Sequence, residues 1–441
     1  MKYIEPIKSF ILFFLVLMSL MLTFMTWSYK PEYPFTEVPQ TDYTLMGDKK
    51  SLSDVMKPYR MLFSTQEGFY GTSSTVAIDT IMDHFHELQA KNFTLLNANL
   101  SNEKTNEMIR IQNRMTMFFQ IDIPIQAFQE IIPIEDTEFH DATFNRLMID
   151  WNTVEENRQV QVFFVSTSNE TVYRVDITVA NTEEFKELFV GQPKNYLPYR
   201  ELAREHQLSL YTIVDPLEVI QYTYFVNNFS SDLLKEVLFE DTSIVQKTVE
   251  GSQEKYTDSM SLLTLDTDTK IMNYVDPAAE SIAGIEPYRL VQDTFGFVNE
   301  HGGFTGDYRL AAMNLQKHVI EYQLFLQGYP VFSGNVLTRV STTWGEQRIY
   351  RYRRPSYSLD IDITAVKAIK VLASGHDIVA HINRHTELDL AKVDDLVIGY
   401  YLRQGENSDL YILEPSWFAI TGSSWTRLTT EWAGGDEYGL E

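Results

Sequence analysis

The sequence predicts an α+β protein: a single transmembrane helix at the N-terminus, then three extracytoplasmic mixed α/β domains with mainly antiparallel sheets. Three observations carry that expectation. Residues Phe10 to Trp27 contain no charged side chain, and their only polar members are Ser19, Thr23 and Thr26. Beyond them, helical and strand-like patterns follow one another without the regular β-α-β alternation of a parallel sheet. The composition, 44% hydrophobic and 13% aromatic, is rich enough for packed cores, and 441 residues leave room for more than one.

The apolar run comes first. At about 1.5 Å per helical residue it spans roughly 27 Å, close to the hydrocarbon thickness of a bilayer. It ends in bulky Phe24, Met25, Trp27 and Tyr29 rather than in the small residues that signal peptidase accepts. Trp27 and Tyr29 stand where interfacial aromatics belong. Lys2, Lys8 and the terminal amine outweigh Glu5 on the leading side, although Lys30 blunts the bias. The expectation is an uncleaved anchor over residues 9–28, with a cytoplasmic tip, 1–8, and the bulk of the chain outside. A cleaved signal peptide is the alternative.

Pro31, Pro34 and Pro39 then fall in one short polar segment, which reads as a stiff stalk over residues 29–41. The first domain is expected over 42–190. Val76 to Gln89 reads as a helix, since Ile78, Ile81, Phe85 and Leu88 recur at helical spacing. "RQVQVFFVS" and "TVYRVDITVA" alternate like paired strands around the turn "STSNE". "GQPKNYLP" from Gly191 marks a boundary, and the central domain is expected over 191–302. It holds the strand "LSLYTIV", a helix from Phe229 to Phe239, a hairpin around "DTDTK", and a helix that Gly302 and Gly303 stop. The last domain, 303–441, carries the strand-like runs "HVIEYQLFLQGYPVFSG", "EQRIYRYRR" and "DLYILEPSWFAI". Helices are expected at Ala365–Leu372 and near Leu390–Leu402.

Charge and cysteine usage narrow the function. There is no cysteine, so disulfide and thiolate chemistry are excluded. Thirty-six basic residues against 61 acidic ones give a net charge of -25, which repels nucleic acid and anionic lipid headgroups alike. No nucleic-acid partner is expected.

Each constellation that could be a catalytic or metal site has a simpler reading. Asp79, Asp83 and His86 share a helix face opposite the apolar stripe, where solvation explains them. His381 and His385 are one turn apart, as in zinc proteases, but Ile382 stands where the catalytic glutamate belongs. "DTDTK" from Asp266 begins like a calcium loop, yet Ile271 replaces its glycine and Pro277 its final glutamate. The acidic cluster "EDTEFHD", Glu135 to Asp141, has no recognisable ligand spacing. There is no nucleophile elbow, Walker loop or dinucleotide fingerprint. The residues therefore point to recognition rather than reaction, with no catalytic residue, metal or cofactor expected.

The order of parts resembles a known family. A short basic tip, one anchor, a proline-containing stalk and an acidic, cysteine-free α+β body are similar to YycH, the extracytoplasmic accessory protein of the WalK (YycG) sensor kinase in low-GC Gram-positive bacteria. "FGFVNEHGGFTGDYRL" at Phe295–Leu310, "LFLQGYPVFS" at Leu324–Ser333 and "YRYRRP" at Tyr350–Pro355 look like the family's carboxyl-terminal landmarks. The resemblance implies three extracellular domains and a partner, YycI, with a similar anchor. The pair would bind WalK through transmembrane and external contacts and tune its activity, governing cell-wall metabolism. It brings no catalytic residues. Two other classes stay open: an exported enzyme acting on the cell wall, and a binding module for wall precursors.

One partner site is expected on the anchor itself. Ser19, Thr23 and Thr26 sit at i, i+4 and i+7 and share one helix face. Small hydroxyl residues permit close approach between membrane helices. The alternative is that they bond back to their own helix carbonyls.

Overall fold

The computed structural model describes residues 12–23 and 46–428, other than 86–87, 89, 136–141, 282, 364–367, 386–387 and 408. The chain divides into two units, Met1–Tyr43 and Thr44–Glu441. In the first, residues 12–23 form an α-helix with exposed side chains. No helix among the described residues is long and apolar enough to cross a membrane. The remaining residues of the expected anchor, and the expected stalk, lie outside the described residues.

The second unit is built on two sheets. Nine strands form the first: β1 (Arg60–Thr65), β2 (Gly68–Thr72), β3 (Ala90–Asn97), β4 (Arg114–Pro124), β5 (Thr143–Asp150), β6 (Gln159–Ser166), β7 (Thr171–Thr178), β8 (Leu197–Leu202) and β9 (Leu210–Ile213). Their order is β3-β7-β6-β5-β4-β1-β2-β8-β9. Every pair is antiparallel. The strand pair read from the alternation is β6 with β7, in register from Gln159 opposite Thr178 to Ser166 opposite Thr171.

Alternation in this sheet feeds a core on each side. Met61 and Phe63 of β1, Met115 and Met117 of β4, and Val162 and Phe164 of β6 belong to one buried cluster. Their neighbours in phase, Leu62, Phe118 and Phe163, belong to another. A period of two puts successive side chains on opposite faces, so a sheet apolar at both phases is covered on both. Helix α1 (Thr75–Phe85) adds Ile78, Ile81, Met82 and Phe85 to the first cluster, as its stripe requires. Helix α2 (Asn102–Arg110), capped by the Ser101 hydroxyl, adds Ile109 to the second.

The second sheet supplies the other side of that second cluster, through Phe325, Phe332, Val397 and Phe418. Its fifteen strands are β10 (Leu217–Asn228), β11 (Gln246–Glu250), β12 (Gln253–Thr257), β13 (Leu262–Asp266), β14 (Ile271–Val275), β15 (Asp307–Asn314), β16 (Val319–Leu326), β17 (Tyr329–Phe332), β18 (Arg339–Trp344), β19 (Ile349–Pro355), β20 (Tyr357–Asp362), β21 (Ala368–Leu372), β22 (Asp395–Gln404), β23 (Leu410–Thr421) and β24 (Ser424–Leu428). The path runs β11-β12-β13-β14-β19-β18-β16-β17-β22-β23-β10-β20, with β15 beside β16, β21 beside β10 and β24 beside β23. β17 and β22 run parallel, with Val331 opposite Tyr400; the other pairs are antiparallel. The mainly antiparallel α+β class is what the sequence predicted.

Three local expectations hold for physical reasons. The "DTDTK" segment is a hairpin turn between β13 and β14, where the Asp266 carboxylate accepts from the Asp268 and Thr269 amides at 3.0 and 2.9 Å. Helix α3 (Ser231–Leu238) starts where the Ser230 hydroxyl accepts from the Leu233 amide. Helix α4 (Pro287–Glu300) begins on a proline, and the chain leaves it through Gly302 and Gly303, at φ +100° and +69°.

Two expected helices are strands instead. Ala368–Leu372, in the stretch expected to be helical from Ala365, is β21 and pairs with β10. In the stretch near Leu390–Leu402, only Leu390–Lys392 is a short 3-10 helix; from Asp395 onward the chain is β22. Residues Asp395 to Tyr400 are buried throughout, so the apolar run from Leu396 shows no period of two and mimics a buried helix.

Candidate functional site

Where the two sheets meet, a cleft of about 410 Å³ opens between them. Tyr59, Phe119, Asn145 and Arg146 line it from the first sheet, and Phe332, Arg339, Asp395 and Trp425 from the second. The loop between β8 and β9 closes one end with Arg204 and Gln207.

Its floor is a buried ionic network. The Tyr59 hydroxyl donates to Asp395 Oδ2 at 2.6 Å, and Arg60 Nη2 donates to both carboxylate oxygens at 3.2 and 2.9 Å. The amide of Leu396 donates to Asp395 Oδ1 as well, and Arg60 Nη1 donates to the Tyr211 carbonyl. Burial pushes the Tyr59 phenol up, and the charge of Asp395 pushes it further, beyond the ordinary phenol range. For Arg60, burial alone would lower the pKa; Asp395 outweighs it and holds the guanidinium above its usual value. Such a carboxylate is fully committed: it holds two halves of the sequence together and is not available as a general base.

Around this floor the cationic groups differ in how they are satisfied. Arg339 is paired, with Nη1 to Glu321 and Nε to Gln323 at 2.8 and 2.7 Å. Arg204 spends its donors on the main-chain carbonyls of Leu208, Leu390 and Val393, pinning the turn that leads into β22. Burial lowers its pKa, with Asp394 and Asp395 acting the other way. Arg146 donates Nη1 to the carbonyls of Asn145 and Phe119, at 2.8 and 3.3 Å. It forms no ion pair with a described residue. Its guanidinium and that of Arg60 lie 4.6 and 4.5 Å from the same Phe118 ring centroid.

The opposite wall is aromatic. The Trp425 ring lies 5.4 Å from Phe332 and 5.7 Å from Phe418, with Tyr401 at 6.2 Å. Arg427 covers the Tyr401 ring at 4.3 Å and pairs with Glu414, which also holds Arg403.

The residues singled out in the sequence lie elsewhere. Thr23 donates its hydroxyl to the Ser19 carbonyl at 2.9 Å, the intrahelical bond by which threonine satisfies itself in an apolar helix; Thr26 lies outside the described residues. Asp79 pairs with Lys57 at 2.8 Å, Asp83 is exposed, and His86 is outside the described residues. His381 and His385 lie on one helix, α5 (Gly375–His385), with Ile382 between them in the core. Among the described residues no group of three or more His, Asp or Glu side chains is placed to hold a metal ion.

The cleft escaped sequence reasoning because its residues are drawn from most of the chain's length and share no motif. One signal was present: Arg60 interrupts an apolar strand run, "YRMLFS", and a buried arginine requires a partner.

Comparison with known proteins supplies what the cleft alone does not. The family described as YycH protein, N-terminal domain, matches residues 5–190, and YycH protein, C-terminal domain, matches residues 207–433. The two-component system WalR/WalK regulatory protein YycH of Bacillus subtilis (strain 168) is 19% identical over 430 residues, covering 94% of each chain. The crystal structure of YycH from Bacillus subtilis superposes with a TM-score of 0.74 at 18% identity, covering 87% of this chain and 99% of that one.

Proposed function

Since the chain belongs to the YycH family, we propose that it is a membrane-anchored extracytoplasmic regulator of a WalK-type sensor histidine kinase. It acts with a YycI-like accessory protein, its partner in a heterodimer, and through the kinase influences cell-wall metabolism. The observation that carries this reading is the pair of family matches, which together run from residue 5 to residue 433 with only a short gap.

In this reading residues 9–28 are the anchor, the N-terminus is cytoplasmic, and the body divides into domains over 42–190, 191–302 and 303–441. The protein is a regulator rather than an enzyme and needs no cofactor. What supports this is the state of the cleft's two acidic residues: Asp395 is saturated by Arg60, Tyr59 and the Leu396 amide, and Asp394 accepts from the Gly422 amide. Regulation by such a protein means biasing a conformational equilibrium in the kinase, which demands differential contact and no chemistry.

Affinity capture of the full-length protein from its native membrane tests the proposal. The expected result is co-purification of a sensor histidine kinase and a second single-anchor protein, with altered kinase output when this chain is deleted. Capture without a kinase, combined with unchanged output in the deletion strain, would overturn it.

A further inference from the structure

The cleft between the sheets is walled, charged and large enough for a ligand, and the ionic accounting around it shows what kind. Cavities of 300–1,000 Å³ with a few convergent polar groups are the usual form of small-molecule sites, and this one measures about 410 Å³. Of the charged groups lining it, Asp395 is neutralised by Arg60 and Arg339 by Glu321. Asp394 accepts from the Gly422 amide and faces the charge of Arg204. Arg146 is left with main-chain carbonyls and no carboxylate among the described residues. Among the described residues, Arg204 also bonds only main-chain carbonyls, but it commits Nε, Nη1 and Nη2 to them, whereas Arg146 commits Nη1 alone. Such a group selects an anion and binds a carboxylate through parallel hydrogen bonds.

The remainder of the lining specifies what the anion is attached to. Trp425 presents a partly exposed ring backed by Phe332. Asn102 and Gln207 each donate their amide NH2 to a main-chain carbonyl, of His206 and Ala391, which leaves an amide oxygen on each to accept from a hydroxyl. Ser423 and Ser424 add exposed hydroxyls beside the aromatic wall. An aromatic platform next to amides and hydroxyls suits a ring that is apolar on its face and polar at its rim.

We propose that the inter-sheet cleft binds a sugar acid, with the carboxylate on Arg146 and the ring against Trp425. The inference stands on the cleft alone and is independent of whether a kinase is the partner.

The test uses the full-length chain in a non-glycosidic detergent. Glucuronic acid and N-acetylmuramic acid serve as sugar acids, glucose as the neutral sugar and inorganic phosphate as the bare anion. Binding is read by saturation-transfer NMR and by tryptophan fluorescence. Both sugar acids are expected to bind, with glucose about tenfold weaker because it lacks the charge-assisted pair to Arg146. Phosphate should also be about tenfold weaker, because it keeps that pair but has no ring to lay against Trp425. Arg146→Gln should weaken the sugar acids by about tenfold and leave the melting temperature near that of the parent. Trp425→Leu, remote from the ionic floor, should weaken them too and decides the matter if Arg146→Gln does not fold. Equal binding of phosphate, unchanged affinity in a folded Arg146→Gln chain, or no binding of either acid at about 10 mM would each overturn the assignment.

Discussion

Arg60 and Asp395 are 335 positions apart in the sequence and 2.9 Å apart in the folded chain. Their side chains are only 5% and 11% exposed, so each has given up its water for the other. Breaking one partner of such a pair leaves a buried charge uncompensated, at a cost of about 3–5 kcal/mol. Asp395→Asn should therefore lower stability by about that amount in urea denaturation. The double variant Arg60→Met with Asp395→Leu should recover most of it, since apolar replacement of a whole buried pair is often neutral. A double variant no more stable than the single one would show that the pair is net stabilising.

The charge cluster behind the aromatic wall predicts an acid-sensitive step. For Glu414, burial raises the pKa, but hydrogen bonds from Arg403 and Arg427 outweigh it, so the folded-state value lies below the ordinary 4.5. A carboxylate with a depressed folded pKa contributes stability that is present above its unfolded value and lost as pH falls through the folded one. Glu414→Gln should therefore lower stability near neutral pH and flatten the loss of stability below about pH 4.5. Denaturation midpoints measured at descending pH check this; parallel acid limbs for the parent and the variant would refute it.

Two glycines at positive φ separate backbone strain from crowding. Gly328 sits at φ +82° in the turn between β16 and β17, and a Cβ there would lie 1.7 Å from the Ser73 carbonyl oxygen, just before α1. Gly251, at φ +63° in the turn between β11 and β12, has nothing within 4 Å of that position. Gly251→Ala should cost about 1 kcal/mol, the backbone term alone. Gly328→Ala must also displace the chain entering α1 and should cost clearly more. Equal melting temperatures for the two variants would mean the turn can move away from α1 freely.

The proposed anchor makes a prediction about processing and contact. Mass spectrometry of the membrane-extracted protein should find residues 1–30 attached; a mature terminus near Ser28 or Tyr29 would contradict the proposed topology. Replacing Ser19, Thr23 and Thr26 together by leucine should preserve insertion and weaken capture of the partner anchors, each interhelical hydrogen bond being worth about 0.6 kcal/mol. The Thr23 bond to the Ser19 carbonyl sharpens this test. If that internal bond is all the hydroxyls do, capture will be unchanged.

Local structure was legible wherever one physical signal acted alone. The stripe of Ile78, Ile81 and Phe85 gave α1, the alternation of Val160, Val162 and Phe164 gave β6, and Asp266 gave a turn through its own side-chain bonds. The reading failed where tertiary burial erased the alternation. β22 is buried on both faces from Asp395 to Tyr400, so its run of apolar residues carries no period of two. β21 is an edge strand exposed at Ile369 and Val371, its conformation set by pairing with β10 rather than by its own pattern. The cleft was invisible for a deeper reason. Arg60, Arg146, Arg204, Asp395 and Trp425 come from separate strands and loops, and only the meeting of two sheets makes them neighbours.

Gly47 and Asp48, near the start of the described body, do not join the strands that follow them. The Gly47 amide donates to the Gly302 carbonyl, and Asp48 bridges Phe304 in an antiparallel contact. A pull on the chain ahead of Met46 would thus be carried by the segment that links α4 to β15, some 250 residues downstream in sequence, before β1 takes any load. Tension at the N-terminus would strip this short clasp first, leaving both sheets intact. In the proposed anchored topology, the link between membrane and body would yield at this clasp while the strand pairing of both sheets is kept.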